Sequence, residues 1–170
     1  MRLPLTLSEV PARASAGAFI LNSGLGKRGA DEATAQGMHG FATGAYPFLG
    51  SVPPQQFAKA LSTAEIAIGA ALLTPFVPTV VAGTLLTGFS AGLLGLYLRT
   101  PGMHKPGSLA PTPEGLAIAK DSWLVGIGLS IVLRGLTSRR ERIPVRKADK
   151  RARKAAATGR REGLRAARAA

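Results

Sequence analysis

From Ile66 to Leu98 the chain runs 33 residues without a charged side chain. A membrane span needs roughly 20 apolar residues, so this run is too long for one upright helix and suits two. The stretch TPFVPT divides it, with Pro75 and Pro78 in the middle. Proline lacks an N–H and clashes with the preceding turn, which ends or kinks a helix there. The pattern predicts helices over about 56–77 and 79–98, joined as a tight hairpin. Two weaker apolar segments flank them. One is ARASAGAFILNSGLG, extended upstream to about 7–26. The other is GLAIAKDSWLVGIGLSIVLRG, about 115–135. The fold class expected is all-α, an integral membrane four-helix bundle over residues 1–137.

The connections differ in kind. Residues 27–55 are Gly-rich, with Phe41, Tyr46, Phe48 and Leu49 as apolar anchors, and suit a short interfacial helix or a partial re-entrant loop. Residues 99–114 hold four prolines and two glycines and read as an ordered, turn-rich loop.

Charge changes the picture at one end only. The net charge is +13, and residues 138–170 alone carry +10, from 13 of the 22 Lys and Arg against 3 of the 9 acids. This second region, a polybasic tail, has helix formers but no apolar stripe, so a frayed or largely disordered segment is expected. Basic residues beside a span mark the cytoplasmic side. With four spans, both termini are then cytoplasmic, segments 27–55 and 99–114 face outward, and the Pro75–Pro78 turn faces inward. The tail suits anionic lipid headgroups at a bilayer surface. It has no aromatic residue for base stacking, which argues against nucleic acid. The chain has no Cys, which excludes disulfides and thiolate metal sites. The start of the sequence is a poor signal peptide, since Pro4, Ser8 and Glu9 interrupt any apolar core.

Few motifs suggest chemistry. GFSAG, residues 88–92, matches a nucleophile elbow, but it sits in an apolar helix rather than a strand–turn–helix. Read as G-x-x-x-G, with Ala91 and Gly95 repeating the spacing, Gly88 and Gly92 predict close helix packing in lipid. Neither His39 nor His104 has a metal-ligating neighbour at helical spacing, so no metal site is expected. The segment NSGLGKRG lacks the spacing of a phosphate-binding loop. No catalytic residue is assigned.

The ionisable residues inside the spans carry the most information. With the orientation above, Glu65 lies about 12–14 Å along its helix from Gln56, at 1.5 Å per residue. Lys120 and Asp121 enter the last span from the same side, and Asn22 and Lys27 close the first near that depth. The expected buried polar centre is therefore Glu65, Lys120 and Asp121, with Lys27, Asn22 and Arg13 as lesser members. Arg13 lies nearer the inner face, with Glu9 one turn earlier as its local partner. Such a cluster either fixes helix register as an ion pair or serves a polar ligand or proton path. A pocket beside Trp123, Tyr97 and Phe89 would suit a quinone-like ring.

The segment RASAGAFILNSGLGKRG, with Arg13, Gly17, Phe19, Gly24 and Lys27, and the segment AEIAIGAALL, with Glu65 and Gly69, resemble the first two spans of the DoxX family. The resemblance covers about residues 10–136 and leaves the tail aside. It implies a four-helix protein of the bacterial inner membrane linked to redox biology. Relatives include a DoxD-type subunit of a thiosulfate:quinone oxidoreductase and a membrane partner in oxidative-stress complexes with a sulfurtransferase and a superoxide dismutase. With no Cys here, persulfide carriage would fall to another protein. The expected function is a non-catalytic membrane subunit or anchor of a redox-associated complex. A quinone-linked oxidoreductase subunit ranks second and a small proton-coupled transporter third.

Overall fold

Prolines decide where most helices of this chain stop and start. The computed structural model describes residues 7–137, and its long elements are all helices. Residues 1–6 and 138–170 lie outside the described residues, and with them the expectations for the basic tail. The chain divides into two compact units, Met1–Leu133 and Arg134–Ala170. The description below concerns the first, together with the helical residues 134–137.

A 3-10 turn at Leu7–Glu9 leads into α1, Val10–Lys27, with Pro11 in its opening turn, where a missing N–H costs nothing. Helix α2, Glu32–Ala45, is capped by Asp31, whose extended backbone lets its carboxylate accept from Thr34 N at 2.8 Å. A 3-10 turn, Pro47–Ser51, follows it. Pro53 and Pro54 open α3, Pro54–Leu73. Thr74, which precedes Pro75, is extended (φ −80°, ψ 120°) and ends that helix. Pro78 then leads into α4, Thr79–Arg99, which stops where Thr100 precedes Pro101 (φ −83°, ψ 120°). The loop after α4 turns through Gly102 and Gly107, both at positive φ. It is tied back by Thr112 Oγ1 donating to Gly102 O at 2.7 Å and by Tyr97 Oη donating to Leu109 O at 2.7 Å. A single turn, α5 (Leu116–Ala119), an irregular step at 120–121, and α6 over 122–137 complete the described chain.

Two expectations change. Helix α3 ends at Leu73 rather than 77, because Pro75 has no N–H to offer the Ala71 carbonyl. The last segment is broken at 120–121 rather than continuous from 115. Of the alternatives for residues 27–55, a helix is the one found, the 14-residue α2 followed by a 3-10 turn.

Helices α1, α3, α4 and α6 share one core. Ala16 and Ile20, Ile68 and Leu72, Ala82 and Leu86, and Leu124 and Ile131 are its buried members, two from each helix. Glycine sets the closest approaches. A Cβ on Gly69 of α3 would stand 2.6 Å from Leu21 N of α1, and one on Gly24 of α1 would stand 2.8 Å from Ile66 N of α3. A Cβ on Gly83 of α4 would stand 2.8 Å from Val132 N of α6. Backbone atoms cannot swing aside, so these positions admit only hydrogen at Cα.

The G-x-x-x-G pair expected to pack does not do so here. Gly88 and Gly92 have nothing within 4 Å of a Cβ position, and Ala91 beside them is exposed. Gly95 does meet a neighbour, the ring hydroxyl of Tyr46. Spacing located small residues correctly but not the face that needed them, because several stripes of small residues run along each helix.

Two helical segments among the described residues are long and apolar enough to cross a membrane, Thr79–Arg99 and Leu116–Thr137. Helices α1 and α3 fall outside that class. They carry Arg13, Lys27, Lys59 and Glu65 among their apolar residues.

Candidate functional site

Buried charge is concentrated at two levels of the α1–α3 pair. At one level, Lys27 Nζ lies 2.9 Å and 3.0 Å from the two carboxylate oxygens of Glu65. Glu65 is 4% exposed. The ammonium is held for this by Ser23 Oγ, one turn earlier, at 2.6 Å. Ser62, one turn before Glu65, donates to Gly24 O at 2.8 Å and clamps the same level. Ser23 and Ser62 escaped the sequence reading, although each stands one helical turn from the charge it supports, which is the usable signal.

At the other level, Arg13 is 2% exposed and spends its guanidinium on backbone. It donates to the carbonyls of Ala71 (2.9 Å), Leu72 (2.9 Å), Thr74 (3.0 Å) and Val77 (3.2 Å). These are carbonyls that the end of α3 and the Pro75–Pro78 turn leave without intrahelical donors. A cation at a helix C-terminus also suits the helix dipole. Glu9 interacts with Arg13 electrostatically, as expected of its position. Its carboxylate also accepts from Thr79 Oγ1 at 2.8 Å, at the first residue of α4. Thus Arg13 and Glu9 close the hairpin turn. Fourteen residues of helix separate Arg13 from Lys27, about 21 Å at 1.5 Å per residue, so Arg13 belongs to a different centre from Glu65.

The expected polar centre is therefore rearranged. The partner of Glu65 is Lys27, not Lys120. Asn22 is exposed on α1 and joins none of these contacts. Asp121 is half-buried and within electrostatic reach of Glu65, Lys120 and Lys27. Lys120 is exposed beside it. Among the described residues, neither Lys120 nor Asp121 makes a side-chain hydrogen bond or an ion pair shorter than 4 Å.

Lys120 and Asp121 stand on the wall of a groove of about 350 Å³, built from one face of α1 and from α5 and α6. Apart from Ser15, its remaining wall is apolar, with Phe19 and Trp123 as the large side chains. The aromatic set expected to form a pocket is divided. Trp123 lines the groove, Phe89 packs against the core, and Tyr97 is buried with its ring 6.1 Å from His104. Ser90, the serine of the elbow-like motif, is fully buried and donates to Leu86 O at 2.6 Å within its own helix. No group of three or more His, Cys, Asp or Glu that could hold a metal ion occurs among the described residues.

Comparison with protein-family models, with curated proteins and with solved structures finds no match to this chain.

Proposed function

We propose that the protein is an integral membrane four-helix bundle in which α1, α3, α4 and the 116–137 segment all cross the bilayer, and that it acts as a non-catalytic membrane subunit or anchor. The observation that carries this reading is inverted polarity. Glu9, Arg13, Glu65, Ser62, Thr79 and Ser90 are buried, whereas Phe19, Trp123, Leu133 and twelve other large apolar side chains among the described residues face outward. Water would expel that apolar exterior, and a bilayer favours it. The buried charges have work within the fold. Arg13 ends a helix, Glu9 joins it to α4, and Lys27 with Glu65 fixes the register of α1 on α3. This favours a scaffold over a catalyst. Association with a redox complex rests on the short segments resembling the DoxX family, at Arg13–Lys27 and Glu65–Gly69.

The test is purification of the intact protein from native membranes in mild detergent, beside Glu65→Gln, read by mass spectrometry and by quinone content. Redox enzymes retained by wild type and lost from the variant are the expected result. Recovery in the soluble fraction overturns the membrane reading. Recovery from membranes without protein partners overturns the anchor reading, and bound quinone in that case turns it toward a quinone-linked subunit.

A further inference from the structure

The groove between α1 and α5–α6 is lined by two charges that the fold leaves without close partners, Lys120 and Asp121. On its wall stand the Lys120 ammonium and the Asp121 carboxylate, adjacent in sequence and without close partners among the described residues. From there the wall is apolar past Phe19 and Trp123 to Ile127. From Asp121 to Ile127 it extends about 9 Å at 1.5 Å per residue, room for a short stretch of acyl chain. A half-buried carboxylate needs hydrogen-bond donors, and an ammonium needs an acceptor. The occupant that meets both needs is an amphiphile whose head carries an anion and a donating cation and whose body is hydrocarbon.

We infer that this groove binds a phospholipid with a zwitterionic, primary-amine headgroup, phosphatidylethanolamine, its phosphate on Lys120, its ammonium on Asp121 and an acyl chain along Phe19 and Trp123. The inference rests on the membrane reading proposed above and adds a specific lipid to it. Charge complementarity selects this head over others. A phosphatidylcholine head has no N–H to donate to Asp121, and an anionic head would set its negative charge beside that carboxylate. A quinone offers only acceptors in its oxidised form, which would serve Lys120 and leave Asp121 unmet.

Trp123 is the sole tryptophan of the chain, lies on the groove wall and is 72% exposed, so its emission reports the site directly. The experiment reconstitutes the full-length protein in phosphatidylcholine vesicles. Each contains an equal small fraction of brominated phosphatidylethanolamine, brominated phosphatidylglycerol or brominated phosphatidylcholine, and quenching of Trp123 is compared. The expected result is a preference for the ethanolamine lipid of about fivefold in apparent affinity over phosphatidylcholine, the size of one solvent-facing ion pair. The preference should vanish in Asp121→Asn and persist in Glu114→Gln, which alters a carboxylate outside the groove. Equal quenching by all three lipids in wild type overturns the inference, as does stronger quenching by the glycerol lipid or an Asp121→Asn variant that keeps the preference. The wild-type headgroup comparison needs no variant to fold. Failure of the protein to enter vesicles at all would instead count against the membrane reading.

Discussion

The two helix pairs of this bundle reach the same closeness by different means. Helices α1 and α3 meet through Gly17, Gly24 and Gly69, and they add an ion pair, a serine clamp and a guanidinium cap. Helices α4 and α6 meet through Gly83 and Gly128, with Thr87 and Val132 as their neighbours. The first pair is polar enough to miss the hydropathy of a membrane span, and the second meets it. Mean hydropathy counts a charge by its presence, whereas its cost depends on whether it faces a partner or lipid. A helix that turns a charge toward a neighbouring helix, as α1 does with Arg13 and α3 with Glu65, therefore scores lower than the surface it presents outward.

This comparison can be broken most sharply at Arg13. Arg13→Met should destabilise the protein by about 3–5 kcal/mol, because several buried carbonyls lose their donor together. Arg13→Lys should recover only part, since one ammonium cannot span the carbonyls of 71, 72, 74 and 77. Unfolding in mild detergent, followed by loss of helical signal, measures both. Next comes the ion pair. The Lys27 side chain is 27% exposed and that of Glu65 only 5%. Glu65→Gln or Lys27→Met alone should therefore cost about 1–3 kcal/mol, between the exposed and buried limits. The double variant should cost less than the sum, and additive losses would show that the pair is not coupled.

Glycines sharpen the contrast at similar and smaller size. Gly69→Val and Gly83→Val should each cost about 1–3 kcal/mol through backbone overlap, so both pairs are equally sensitive to lost closeness. Gly88→Ala and Gly92→Ala should change the stability of the monomer by no more than about 1 kcal/mol, in the stabilising direction, because Ala favours the helix and meets open space. The smallest effect lies outside both pairs. Asp31 is held below the usual carboxylate range by its hydrogen bonds from Thr34, side chain and then backbone. Its folded value is depressed, so its capping of α2 is fully present above the unfolded carboxylate pKa. That contribution is lost as pH falls through the lower folded value. The protection factor of the Thr34 amide should fall as pH drops through that acidic window in wild type and stay flat with pH in Asp31→Asn.

The α3–α4 hairpin and the proline break between its helices were legible in the sequence. The charge-free run, the prolines at 53, 54, 75, 78 and 101, and the residues preceding them act through local backbone sterics, which need no tertiary context. The sequence also pointed to Glu65, Lys27 and Arg13 as residues that would require partners. Which partner each one took was decided only by the tertiary structure. Helical periodicity fixes a side chain's direction around its own axis but not the rotation of one helix against the next. That rotation set Lys27 rather than Lys120 against Glu65, turned Asn22 outward, and aimed Arg13 at the carbonyls of 71, 72, 74 and 77 around the end of α3. It also chose Gly69 and Gly83 over Gly88 and Gly92 as contact points, since close approach depends on the backbone that arrives opposite.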